Sequence, residues 1–420
     1  MNSRVLVILV ALASAAPAAA APSAPNYRLK PGAEGSLCLD CHPQFQEILK
    51  KRFIHTPVRK RNCAGCHNPH ASSHGKLLAG QGAAVCTKCH ATIVPAAAKS
   101  THKPVADGKC SECHDPHASA FNSSLVRGGN ELCGGCHKEV VQTAAGVKFK
   151  HKPVIESCVT CHDPHGSAKG EAIVKNAVPA LCIGCHKVDR PIFTKKHMGY
   201  PVAKADCTSC HDPHGSNQRG MLMNAVHPPV AKQMCAQCHE AATSPTALKT
   251  KADGVQLCRG CHAQRLTFMG EKSRLHRPVA DGDCLACHGP HAAKEKGLLK
   301  ASALTVCGSC HADTLRRQAM SQTKHDPVRD GKCTACHDPH ASDQALALVK
   351  ANIVDACGKC HDWLKHSSHP MGEKFADPRN KNLKMQCLSC HRSHGTEYKH
   401  LIPYPTTSDL CTKCHDKYKR

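Results

Sequence analysis

Aromatic side chains are almost missing from this chain, with one Trp, seven Phe and five Tyr in 420 residues. That scarcity excludes an ordinary hydrophobic core at this length, because large aromatic plates normally dominate core packing. Long apolar runs are missing as well: beyond the first two dozen residues none approaches the roughly 20 apolar residues of a membrane helix, so no span is expected in the mature chain. The opening MNSRVLVILVALASAAPAAAAPSA does carry Arg4, an apolar run from Val5 to about Ala13 and small residues near Ala20 and Ala21. This is the pattern of a signal peptide over residues 1–21, which predicts export to the periplasm or beyond. Acidic residues are few, 32 against 56 Lys plus Arg, for a formal charge of +24. Such an excess is compatible with a nucleic-acid surface, yet no nucleic-acid motif accompanies it and no such partner is expected.

Cysteine, in contrast, is abundant, with 32 residues. In an exported chain this first suggests a disulfide scaffold, but the spacing argues otherwise. Every cysteine belongs to a C-x-x-C pair: Cys38 and Cys41, Cys63 and Cys66, Cys86 and Cys89, Cys110 and Cys113, Cys133 and Cys136, Cys158 and Cys161, Cys182 and Cys185, Cys207 and Cys210. The series continues with Cys235 and Cys238, Cys258 and Cys261, Cys284 and Cys287, Cys307 and Cys310, Cys333 and Cys336, Cys357 and Cys360, Cys387 and Cys390, and Cys411 and Cys414. A histidine follows every pair at once: His42, His67, His90, His114, His137, His162, His186, His211, His239, His262, His288, His311, His337, His361, His391 and His415. Zinc ribbons and redox-active thiol pairs do not require that histidine. Covalent c-type haem attachment does: two thiols form thioethers with the porphyrin and the adjacent imidazole ligates iron. About sixteen covalent haem c groups are expected. Their thirty-two propionates would turn the formal +24 into about −8, which accounts for much of the Lys and Arg.

Two further elements recur. H-x-P-V begins at His55, His102, His151, His276 and His325, seven or eight residues before a pair, with HMGYPV at His197 as a stretched form. An x-P-H element follows a pair and ends at His70, His117, His165, His214, His291 and His340, with the variant RSH at His394. A unit of apolar-CxxCH, HxPV, CxxCH and xPH runs four times from Cys38 to His214 and three times from Cys258 to His394, and a lone pair closes each series. The organisation expected is a nine-haem block at 22–240, a linker at 241–256 and a seven-haem block at 257–420.

Eighteen histidines remain for the far faces of the irons. The expected distal ligands are His55, His102, His151, His197, His276, His325 and His369, then the xPH histidines His70, His117, His165, His214, His291, His340 and His394. His227 and His400 would complete the lone closing pairs, leaving His74 and His366 on the surface. Because helical dihedrals are disfavoured before proline, the turn in xPH should send its imidazole to a neighbouring iron. Filling both axial positions leaves no site for substrate on iron, so electron transfer is favoured over catalysis and no catalytic residue is assigned. At about 25 residues per haem no segment can bury a core of its own. The predicted fold is therefore mostly irregular, with short α-helices wrapped around covalent haems, little or no β-sheet, and an elongated array.

With these motifs in view, the chain resembles the doubled-CXXCH multihaem c-type cytochromes, which include periplasmic decahaem conduits and pentahaem donors to nitrite reductase. The resemblance implies bis-His haems that relay electrons between a membrane quinol-oxidising cytochrome and a periplasmic or outer-membrane acceptor. The alternative class is a multihaem reductase of nitrogen or sulfur oxyanions, which needs one open haem; C-x-x-C-K, which flags some such sites, does not occur.

Overall fold

The computed structural model describes residues 35 to 362 and 369 to 415, with Lys417; the expected signal segment and His366 lie outside them. Two kinds of CxxCH site alternate. Eight first cysteines sit in short α-helices: Ser36–Cys41, Ala84–Thr87, Gly129–Gly134, Ala180–Ile183, Gly254–Gly270, Ala303–Gly308, Ile353–Gly358 and Thr407–Cys411. Seven sit in single 3-10 turns (Cys63–Gly65, Cys110–Glu112, Cys158–Thr160, Cys207–Ser209, Cys235–Gln237, Cys284–Ala286 and Cys333–Ala335), and one in the single helical turn Cys387–Cys390. The two kinds are called helix-borne and turn-borne sites below. They alternate along the chain except that the turn-borne His211 site is followed by another turn-borne site, that of His239.

Each HxPV histidine is the N-cap of a one-turn helix with proline in its first two positions, as in Thr56–Arg59, Lys103–Ala106 and Pro228–Ala231. Proline is tolerated there because its missing N–H would have no helical partner. His55, as N-cap, keeps the extended dihedrals φ −59° and ψ 135°. His197 is built differently, as the C-cap of Pro191–Lys196.

Among the described residues, sheet is limited to five two-stranded ladders. Four of them follow one rule: the residues before an HxPV histidine pair antiparallel with those after the xPH histidine of the next repeat. Phe53–Ile54 meets Ala118–Ser119, Ser100–Thr101 meets Gly166–Ser167, Ala225–Val226 meets Ala292–Ala293, and Arg274–Leu275 meets Ala341–Ser342. Isolated bridges Phe149 to Ser216 and Thr323 to Thr396 continue it. The chain divides into two compact units, one holding the chain up to Ala91 with Gly108–Gly128, the other Thr92–Asp107 and everything from Gly129 onward. The expected linker at 241–256 lies inside the second unit, where the 225–226 ladder, reaching 292–293, spans it.

Side chains contribute little core. The buried apolar residues are six alanines with Val147, Tyr200 and Met269, and no large side chain is fully enclosed among the described residues. Meanwhile Leu37, Ile192, Phe268, Met320 and Leu346 stand half or more exposed. An interior built this way requires a further apolar component. No described helix is long and apolar enough to cross a membrane.

Candidate metal centres

Each site starts from one hydrogen bond. In fifteen of the sixteen, the backbone N–H of the motif histidine donates to the carbonyl of the first cysteine at 2.9–3.1 Å, and His262 lies within its helix. This single helical turn sets two thiols and an imidazole around one edge. All 32 cysteines are free of disulfides. The first thiols of adjoining helix-borne and turn-borne sites stand close enough to shift one another's titration: Cys38 with Cys63, Cys86 with Cys110, Cys133 with Cys158, Cys182 with Cys207, Cys258 with Cys284, Cys307 with Cys333, and Cys357 with Cys387. Burial and the neighbouring thiol push Cys182 and Cys307 up to about 11, while Cys387, hydrogen-bonded by Cys357, falls to about 7.

The decisive geometry is in the imidazoles. Thirteen motif histidines face a second histidine with ring centroids 5.7–6.3 Å apart. A metal–imidazole bond of about 2.0 Å on each side, plus roughly 1.1 Å from nitrogen to ring centre, separates two collinear rings by about 6.2 Å. One iron fits between each pair.

The pairing follows two rules. HxPV histidines reach the next helix-borne site: His55 faces His90, His102 faces His137, His151 faces His186, His227 faces His262, His276 faces His311, and His325 faces His361. His369, the seventh of this kind, faces His415. The xPH histidines instead reach back to the preceding turn-borne site: His117 faces His67, His214 faces His162, His291 faces His239, His340 faces His288, and His394 faces His337. Among these thirteen pairs, the one at His211 lies outside both rules. The His239 pair is not followed by xPH, and His197 faces His211 instead, the planes crossed at 62°. Eleven pairs lie within 8–31° of parallel, while His369 and His415 cross at 52°.

Two expected pairings are corrected. His227 does not serve the closing His239 site, because the ladder between 225–226 and 292–293 carries it to His262 and brings His291 to His239. His400 does not serve His415, which His369 faces; it is instead the αL residue of a tight turn, with φ 60°, and its carbonyl accepts from His391 Nδ1 at 2.8 Å. His70 is held through its backbone by Asn68 Oδ1 at 3.2 Å and faces no motif imidazole among the described residues. His74 caps the 3-10 turn Gly75–Leu77. His165 is fixed by Asp163 in the same way as its xPH counterparts.

A supporting layer was invisible to motif reading. In turn-borne sites the motif Nδ1 lies 2.7–2.9 Å from a carbonyl nine or ten residues on, as at Lys76, Ser123, Ala172, Gly220, Leu248, Gly297, Leu346 and His400. A carbonyl only accepts, so Nδ1 carries the proton and Nε2 keeps its lone pair for metal. In all but the His239 site this carbonyl belongs to a turn with two successive residues at positive φ, such as Lys76–Leu77 and Leu346–Ala347. Non-glycine residues there cost about 1–2 kcal/mol each, a strain retained where it aims the carbonyl.

The HxPV ligands are oriented likewise. His55, His102, His151 and His227 each place Nδ1 2.7–3.0 Å from the carbonyl of the proline inside xPH, at Pro116, Pro164, Pro213 and Pro290. His325 uses Ser393 at 2.9 Å. The xPH imidazole is set by the residue two before it: Asp115, Asp163, Asp212 and Asp338 accept the histidine backbone N–H at 2.9–3.1 Å in Asx turns. Burial lowers the pKa of His117, His211, His214, His291, His340 and His394, favouring the neutral, ligating imidazole.

In the second unit, a continuous cavity of about 3440 Å³ is lined by nine motif histidines from His186 to His391 together with all their cysteines but Cys185. That is about 380 Å³ for each site, within the roughly 300–1,000 Å³ of a pocket for one small molecule or cofactor. Thiol pairs, opposed imidazoles and an open apolar interior together fit covalent haem, and the class so defined is a multihaem c-type cytochrome. The doubled CXXCH motif model matches at residues 55–94, 102–142, 151–191, 200–226, 227–266, 276–316, 325–366 and 380–420, and the chain belongs to that family. Its motifs imply about sixteen covalent haems, and the family's role is electron transfer. The short match at 200–226 falls where the alternation of sites breaks and holds only the His211 site. No curated protein matches the chain.

Proposed function

We propose that this is an exported electron-transfer cytochrome whose haems, at the thirteen paired sites, are held between two histidines, passing electrons between a membrane-associated quinol-oxidising cytochrome and a periplasmic or outer-membrane acceptor. The observation that carries the reading is the set of opposed imidazoles at 5.7–6.3 Å, for example His67 with His117 at 6.1 Å and 8°. Bound haem supplies one-electron iron chemistry; the chain's residues do the rest. The cysteines would hold each haem covalently, and the motif histidine with its facing imidazole would ligate the iron. Carbonyls on Nδ1 make those imidazoles stronger donors, which holds potentials low in the absence of a methionine ligand.

Two connections support a relay. Within a doubled motif, adjacent first thiols such as Cys133 and Cys158 bring two haem edges together. Between repeats, the same xPH segment ligates one haem through its imidazole and orients the ligand of another through its proline carbonyl. Export rests on residues 1–21 and on the oxidising chemistry that thioether maturation accompanies. Intact mass with a haemochrome assay should find about sixteen haems, nearly all low-spin by magnetic resonance. A count far below sixteen, or a mainly high-spin population, defeats the proposal.

A further inference from the structure

The first site, that of Cys38, Cys41 and His42, differs from the thirteen paired sites. The ring neighbour of His42 is Phe45, edge-on at 6.3 Å and 80°, and the side-chain amide of Gln44 lies 3.4 Å from its Nδ1. No described histidine faces it. The rule for helix-borne sites draws the distal ligand from about 35 residues upstream, where the chain has Val7, and residues 1–34 contain no histidine. Conversely, the xPH histidine His70 would reach back about 50 residues, where the chain has Ala20. An iron without a second ligand and a ligand without an iron therefore stand in the same repeat, and the Asn68 turn holds His70 in the xPH backbone form.

Charge around this site has one dominant sign. Arg59, Lys60 and Arg61 are exposed and have no carboxylate within ion-pair distance, whereas Lys50 pairs with Glu47 and Lys51 with Asp115. Arg61 packs against the helix that bears Cys38: a Cβ at Gly35 would lie 2.5 Å from Arg61 Cβ. The carboxylate on that helix is the exposed Asp40.

Building on the bis-His reading, we infer that no imidazole of this chain fills the distal face of the His42 haem, and that the face takes a small anion with a lone-pair donor atom. The basic run sets three exposed charges against the two propionates of one haem, and that local excess favours such anions. It stands apart from the thirteen sites at which a second imidazole faces the motif histidine.

The test uses the complete haem-loaded protein. Ferric magnetic resonance should show a high-spin signal worth about one haem in sixteen, azide should convert it to low-spin, and the reduced protein should bind one carbon monoxide per chain. His70→Ala and His74→Ala should leave all three readouts unchanged. Replacing Arg59, Lys60 and Arg61 together by Gln should weaken azide binding several-fold and leave carbon monoxide uptake intact. Absence of any high-spin haem, or its appearance only in His70→Ala or His74→Ala, overturns the open site; a high-spin haem indifferent to azide overturns the anion. A mainly high-spin protein would instead defeat the bis-His reading, so the two failures are distinguishable.

Discussion

His227 offers the sharpest test of the pairing, because the sequence and the structure send it to different irons. Its ring lies 6.1 Å from His262 at 16°, its Nδ1 is 2.9 Å from the Pro290 carbonyl, and its backbone N–H donates to His291 O at 2.9 Å. His227→Ala keeps the backbone bond and the flanking ladder, so the local cost is one hydrogen bond, about 0.5–1.5 kcal/mol, together with the imidazole on one iron. About one-sixteenth of the iron should become high-spin. Removing individual haems then locates that iron. In His227→Ala combined with Cys258→Ala and Cys261→Ala, the new signal should vanish with the haem that carried it. Combined instead with Cys235→Ala and Cys238→Ala, the signal should persist. The opposite pattern would refute the ladder argument and place His227 on the lone closing site.

Two further outcomes follow from the supporting layer. Burial holds the pKa of six distal or motif histidines, His214 and His291 among them, below the ordinary 6.5. Their unfolded counterparts therefore take up protons first, so stability present above pH 6.5 should fall as the pH drops below it; a denaturation midpoint that stayed flat from pH 7 to 4.5 would contradict this. Asp212, 8% exposed, accepts His214 N–H at 3.0 Å and lies 3.1 Å from Lys294 Nζ. Asp212→Ala should cost about 1–3 kcal/mol and loosen the His162 haem, whereas Asp212→Asn keeps the turn's acceptor and should cost less than half as much; equal melting temperatures for the two variants would rule the turn out as the positioning device.

Attachment was fully legible in the sequence because it is local: two thiols and an imidazole in five residues need no knowledge of the fold. So were the HxPV and xPH elements, which proline marks, and the irregular, helix-poor architecture. The partner of each distal histidine was not, because it is decided by two-residue ladders between segments about 65 residues apart, such as Arg274–Leu275 with Ala341–Ser342. Alanines and serines in such ladders leave no pattern to read. His400 shows a different limit. Its site requires a backbone carbonyl on a left-handed turn, and Lys76, Ser123, Gly297 and Leu346 provide the same group, so its imidazole was a misleading clue.

The single departure from alternation, between the His211 and His239 sites, says how such a chain can change length. Each repeat lends a ligand forward and another backward, so inserting or deleting a whole repeat leaves every loan matched. Losing half a repeat does not: it strands one iron. Here the odd site is met instead by His197 from the end of the helix Pro191–Lys196, its ring crossed at 62° to that of His211. Growth by whole units costs no new chemistry, whereas growth by halves must find a histidine nearby.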